Sequence, residues 1–126
     1  MASRGEVWLV DLGMIQKVRP ALILNRPFKD SDRAITSVIP HTTALRGSKF
    51  EIPVRVPFLQ PGAFLVQNPI TISATKAERF LGRLTTQQMA LVEDGVRNWL
   101  GRQARTDFAT SIIGRRLPPS SEGVRK

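Results

Sequence analysis

The sequence predicts a mainly β, α+β domain: a small antiparallel sheet or barrel with one helix toward its C-terminal end. Three observations carry that expectation. Six apolar runs of four to seven residues are bounded by Gly and Pro, which is the length and punctuation of strands. The apolar period then switches once, to that of a helix, beyond residue 85. Finally, 126 residues with 41% hydrophobic content suit one modest core and not two.

The elements follow in order. "EVWLVDL" (6–12) lies between Gly5 and Gly13 and reads as a strand. "RPALILN" (19–25) reads as a second, with Pro20 acceptable only at its start or at an edge. "RPFKDSD" (26–32) is polar and turn-rich, hence a loop. "AITSVIP" (34–40) is a third strand, expected to stop at Pro40, and "FEIPVRV" (50–56) a fourth, with Pro53 marking an edge or bulge. "LQPG" (59–62) is turn chemistry, and "AFLVQN" (63–68) and "ITIS" (70–73) are further strand pieces broken at Pro69. Met89, Val92, Val96, Trp99 and Leu100 then fall on one helical face. Thr85 or Thr86 can cap that helix and Gly101 suits its stop. Gly95, inside it, costs about 1 kcal/mol against Ala. The expected division is a folded domain over 1–101 and a basic extension over 102–126, whose "RRLPPSSEGVRK" end reads as disordered.

Composition narrows the function classes. With no cysteine, disulfides, thiolate metal sites and cysteine nucleophiles are excluded. No apolar run approaches a membrane span, and "MASRGEVW" lacks the apolar stretch of a signal peptide, so no membrane contact and a cytoplasmic location are expected. The net charge of +9 is spread over the chain, +5 in residues 1–101 and +4 beyond. A basic folded body favours a polyanionic partner, most often nucleic acid.

Few motifs carry chemistry. "DSD" (30–32) has a D-x-D spacing but reads as a turn in which Asp side chains bond local backbone. One histidine in the chain speaks against a transition-metal site. There is no Gly-rich phosphate loop and no G-x-S-x-G elbow. What remains is "VIPHTTALRGSKFEIPV" (38–54), with His41, Thr42 and Thr43 followed by Arg46 and Lys49, and "KVRPALIL" (17–24), with Arg19 before a proline. Taken alone, Thr-Thr is a strand end, His41 a surface ring and Arg19 a surface charge or a partner of Asp11. If the second and third strands pair antiparallel, however, Arg19 and Thr42 come to one edge of the sheet. A rigid cation, hydroxyls, an imidazole and further cations, with no cofactor or metal, suit RNA cleavage by RNA's own 2′-OH.

"RGEVWLVDL", "VRPALIL", "VIPHTTALRGSKFEIPV" and "GAFLVQNPITIS", in this order and spacing, resemble the MazF/PemK/Kid toxins of type II toxin–antitoxin systems, from about Arg4 to Gly101. The resemblance implies an SH3-like, CcdB/MazF-type barrel with a C-terminal helix. It implies a homodimer whose groove takes single-stranded RNA. It implies a metal-independent, sequence-specific endoribonuclease leaving a 2′,3′-cyclic phosphate and a 5′-OH. It also implies an antitoxin, usually acidic, whose flexible segment covers the groove. Arg19 falls on the family's catalytic arginine, to neutralise the scissile phosphate and protonate the leaving oxygen, and Thr42 on its catalytic threonine, to hold a phosphate oxygen. Thr43, Arg46 and Lys49, with Gln67 and Asn68, are the expected RNA contacts.

Two departures stand out. The stretch "DLGMIQKVRP" is shorter than in many members, which often carry an acidic residue shortly before the R-P, and it contains no Glu. Gln67 and Asn68 stand where members often carry Asp and Gln, so a carboxylate used by some relatives is missing. His41, whose unperturbed pKa lies near neutrality, is the candidate replacement base. Two rival functions share the fold. A CcdB-like gyrase poison would need its Trp at a short C-terminal end, whereas 27 residues follow Trp99. A nonenzymatic RNA-binding module fits the missing carboxylate, but aromatic residues are only 6%, with no Tyr, which is sparse for base stacking.

Overall fold

The computed structural model describes residues 2–13 and 17–101. The expected extension over 102–126 lies outside the described residues. Seven strands, β1 (Glu6–Asp11), β2 (Val18–Ile23), β3 (Ile35–Thr42), β4 (Glu51–Pro53), β5 (Ala63–Leu65), β6 (Ile70–Ser73) and β7 (Ala77–Arg83), precede one helix, α1 (Thr86–Trp99). All pairings are antiparallel, in the order β4-β5-β3-β2-β1-β7, with β6 also against β3. The mainly β architecture with a C-terminal helix is the one the sequence predicts. Among the described residues the two edge strands, β4 and β7, do not pair with each other, so the ladder stays open.

Strand β3 is the hub. Along one side it meets β2, from Ile23↔Val38 to Ala21↔Pro40. Along the other it meets β6 over Ile35–Val38 and then β5 at His41 and Thr42. The strand does not stop at Pro40 as expected. Pro40 stands where the neighbour changes from β6 to β5, and such a break in the ladder tolerates a missing N–H.

Alternation along the strands builds a core on each face of the sheet. Val7, Leu22 and Ile39 join Val54, Phe64, Val66, Leu84, Met89 and Val92 on the helix side. Val10, Ala21, Ile23 and Val38 form the other core, with Trp8, Leu12, Ile70, Ile72 and Ala77 packed against it. Two apolar faces explain why "VWLV" and "ALIL" read as continuous apolar runs. The connection from β6 to β7, which includes a single 3₁₀ turn (Ala74–Lys76), crosses this second face, because β6 lies beside β3 and β7 beside β1. Strand β7 was not expected from the sequence. It is a sheet edge with Glu78, Arg79, Phe80 and Arg83 exposed, so it shows no apolar alternation.

The helix is capped by Thr85 and not by Thr86. The Thr85 hydroxyl accepts from the Gln88 N–H at 3.1 Å and the Gln88 side chain accepts from the Thr85 N–H at 2.9 Å, a reciprocal capping box. Gly95 is buried against β4, and a Cβ there would lie 2.9 Å from Ile52 and 3.1 Å from Val66. Close helix–sheet packing is therefore what the glycine serves. At the far end Trp99 leaves the core and packs edge-on against Phe50, with 5.1 Å between ring centroids. Arg4 ties the helix to the sheet by bonding the Leu24 carbonyl and the Glu93 carboxylate.

Candidate nucleic-acid site

The β2–β3 register decides what meets at the sheet edge. Counting on from Ala21↔Pro40, Arg19 stands two residues beyond on β2 and Thr42 two residues beyond on β3. Both ends therefore reach the same margin. Alternation puts Arg19 on the face of Ala21 and Ile23, and Thr42 on the face of Val38, which is one and the same face of the sheet. This face is the one opposite the helix. Pro20 helps by sitting at the mouth of β2, where the strand pairs with β1 through Leu9↔Pro20 and Val10↔Arg19. Arg19 is exposed there, whereas Thr42 is only 7% exposed.

The Thr42 hydroxyl accepts from the Ala44 N–H at 3.0 Å. A hydroxyl has one proton and two lone pairs, so its proton is left for an acceptor such as a phosphate oxygen. Thr43 and Arg46 follow on an exposed loop, and Lys49 lies on it with its ammonium 5.2 Å from the Phe50 ring centre. Gln67 is exposed and Asn68 half-buried in the turn between β5 and β6, whose Asn68 N–H donates to the Leu65 carbonyl at 3.0 Å. That turn lies alongside the Ile39–Pro40 segment of β3, between the β6 and β5 ladders.

His41 has a different setting. Its cross-strand partner is Phe64, and the two rings meet edge-on with centroids 5.1 Å apart. Paired residues share a face, so the imidazole lies on the helix side and Thr42 on the other. His41 is 4% exposed, and its Nε2 is buried with no hydrogen-bond partner among the described residues. Burial lowers its pKa, because the charged imidazolium loses its hydration. Beside it runs Gly62, where a Cβ would sit 2.1 Å from the Thr42 carbonyl oxygen and 2.9 Å from His41 Cε1. The "PG" pair that the sequence offered as a turn is thus also the close approach that seats His41 and Thr42.

Further groups went unread in the sequence. A cleft of about 560 Å³ opens on the Arg19 side of the molecule, lined by Asp11, Leu12, Lys17, Val18, Ile72 and Lys76 among others. Lys76 faces Asp11 across 3.8 Å. Lys17, two residues before Arg19, adds a cation to this cleft, and at its φ of +56° its N–H closes the hairpin with a 2.6 Å bond to the Gly13 carbonyl. Only the folded register gathers these lysines, since 59 positions separate them in the chain. Among the described residues no group of three His, Asp or Glu side chains is placed to hold a metal ion. No described helix is long and apolar enough to cross a membrane.

Comparison with known proteins follows the same outline. Residues 3–100 match the model of the PemK-like, MazF-like toxin of type II toxin–antitoxin systems. The chain belongs to this family. Among solved structures, the Mycobacterium tuberculosis toxin MazF-mt6 is 29% identical, with a TM-score of 0.67 over 78% of this chain and 98% of that one. An endoribonuclease in complex with its cognate antitoxin, from a mycobacterial species, shares 22% identity with a TM-score of 0.69, covering 80% of this chain and 96% of that one. A MazE–MazF complex from Deinococcus radiodurans shares 17% identity with a TM-score of 0.68, covering 81% and 97%. The last two likenesses speak for the fold alone. No curated protein sequence matches the chain. For a MazF-like toxin the notable features are the arginine and threonine on one face and the inward turn of the neighbouring histidine.

Proposed function

We propose that this MazF-like toxin is an endoribonuclease that cuts single-stranded RNA at short motifs without a metal ion. The observation that carries the reading is the shared sheet face and shared margin of Arg19 and Thr42. In this mechanism the 2′-OH attacks the adjacent phosphorus. The O2′–P bond forms as the 2′-OH proton passes to a base, the P–O5′ bond breaks as Arg19 supplies a proton to O5′, and the products are a 2′,3′-cyclic phosphate and a 5′-OH. Arg19 holds the non-bridging oxygens, whose negative charge grows toward the transition state, with paired donors. Thr42, one lone pair of which accepts from the Ala44 N–H, donates its single hydroxyl proton to a phosphate oxygen. Thr43, Arg46, Lys49, Gln67 and Asn68 contact the strand on either side, with Lys17 and Lys76 adding positive charge at the cleft.

His41 enters as the candidate base on one observation: its lowered pKa keeps the ring neutral at pH 7, with a buried, unpartnered nitrogen. To act, that ring must reach past the strand to the Thr42 face. The cognate partner in this reading is an acidic antitoxin with a flexible segment that covers the basic groove, as the charge of +9 favours. The working form is a homodimer in the cytoplasm. End mapping tests the chemistry. A long RNA should yield 5′-OH ends at a short motif, and a 2′-deoxy nucleotide placed at the cut should abolish cleavage there. Cleavage that survives the 2′-deoxy substitution would remove the 2′-OH mechanism.

A second reading, a catalytically weak RNA binder, is favoured by the state of the carboxylates. Gln67 supplies none, and Glu51, the acid nearest Thr42 in the chain, is engaged by backbone N–H groups. Tight, salt-sensitive binding with no new RNA ends would select it.

A further inference from the structure

Between Thr42 and Glu51 the chain makes no strand pairing, and Thr43–Gly47 are exposed. Water can satisfy the backbone of an exposed loop, yet here side chains take several of its N–H groups, chiefly at its two ends. At the entry the Thr42 hydroxyl takes the Ala44 N–H. At the exit the Glu51 carboxylate takes three consecutive ones. Arg46 N–H donates to Oε2 at 2.9 Å and to Oε1 at 3.1 Å, Gly47 to Oε1 at 2.9 Å and Ser48 to Oε1 at 3.1 Å. Gly47, at φ +83°, supplies the left-handed turn that points these donors the same way. Successive N–H groups around one anion form a backbone nest, and its bonds to a charged carboxylate exceed neutral ones in strength.

Glu51 is itself fixed. It pairs with Leu65 on β5, whose Phe64 and Ala63 pair with His41 and Thr42. One short strand therefore holds both the candidate phosphate-binding threonine and the loop anchor. Among the described residues the Glu51 carboxylate forms no ion pair with a basic side chain. It organises the backbone and leaves the Arg46 and Lys49 charges available to an incoming polyanion.

We infer that Glu51 is a positioning residue that, by filling the nest of residues 46–48, sets the course of the loop that follows Thr42 and carries Arg46 and Lys49, and so governs RNA binding and the choice of cut site. This rests on the endoribonuclease reading above. With its carboxylate occupied by the loop backbone, Glu51 acts through the loop, so its removal acts on binding and selection while the chemistry at Arg19 and Thr42 continues.

The test compares wild type with Glu51→Ala and Glu51→Gln in two arms. In the first, trypsin cuts the RNA-free protein, and the rates after Arg46 and Lys49 are followed. Loss of the nest should raise them about tenfold in Glu51→Ala, with Glu51→Gln in between because it keeps one acceptor oxygen. In the second, cleavage of a long single-stranded RNA is measured. KM should rise about tenfold in Glu51→Ala, kcat should stay within about threefold, and the set of cut sites should broaden. Unchanged protease protection and unchanged KM would overturn the inference, as would a fall in kcat at constant KM. Should Glu51→Ala fail to fold, Glu51→Gln carries both arms by itself. If wild type leaves RNA intact, the endoribonuclease reading fails. The protease arm, with RNA affinity by fluorescence anisotropy in place of KM, then decides the role of Glu51 separately.

Discussion

The two faces of the sheet separate His41 from Arg19 and Thr42. Arg19 and Thr42 share a face and a margin, and His41, adjacent in sequence to Thr42, faces the helix-side core beside Phe64. A burial of this kind has a pH signature. The folded-state pKa of His41 lies below its ordinary 6.5, so below neutrality the unfolded chain binds the proton more readily than the folded one. Stability is therefore unaffected above neutrality and falls as pH drops below about 6.5. The melting temperature of wild type should fall between pH 7 and pH 5, and His41→Leu should lose most of that slope. An equal slope in the variant would assign the effect elsewhere. If His41 is also the base, the acidic limb of the rate–pH profile should vanish in the same variant. At Gly62, Ala would drive a methyl to within 2.1 Å of the Thr42 carbonyl. Gly62→Ala should therefore lower both the melting temperature and RNA cleavage, with a far larger effect than Gly47→Ala, where the added Cβ meets nothing within 4 Å and only the backbone conformation objects.

At the level of elements, helix α1 sets local propensity against packing. Gly95→Ala gains about 1 kcal/mol by helix propensity. It must also fit a methyl 2.9 Å from Ile52 and 3.1 Å from Val66, and overpacking of that kind costs about 1–3 kcal/mol. The expected net effect is destabilisation, measured by thermal or urea unfolding; a stabilised variant would show that β4 yields easily. Thr85→Ala should cost about 1 kcal/mol through loss of the capping box. The helix was legible from its period and its threonines, although two caps were open until the Thr85–Gln88 exchange chose one. Strands β1, β2 and β6 were legible because their apolar runs end at turn residues. Strand β7 was not, because an exposed edge needs no apolar alternation. The continuation of β3 past Pro40 was hidden too, because the rule that proline ends a strand fails where the neighbouring strand changes.

For the molecule as a whole, the open sheet presents two worked faces, one sealed by α1 and one crossed by the β6–β7 connection. Arg19 stands on the second face and Lys17 and Lys76 line the cleft there, while Arg46 and Lys49 add positive charge on the exposed β3–β4 loop. RNA affinity should accordingly fall steeply with salt, and Lys49→Ala should weaken binding while flattening that dependence by about one counterion. Of the candidate site, Arg19 and Thr42 could be read from "VRP" and "HTT", since antiparallel pairing of neighbouring strands was enough to bring them to one edge. The seat at Gly62 and the lysines of the cleft could not, because each depends on contacts between segments whose spacing in the chain carries no pattern, nor could the nest under Glu51, which is local but depends on a loop conformation that no motif announces. The central claim is a metal-free ribonuclease built on Arg19 and Thr42. It is tested most directly by incubating a long single-stranded RNA in EDTA with wild type, Arg19→Ala and Thr42→Ala, and mapping the ends. Wild type should cut at a short motif and leave 5′-OH ends, and each variant, still folded, should cut about a hundredfold or more slowly. Intact RNA with wild type, or undiminished cutting by both variants, would contradict the account.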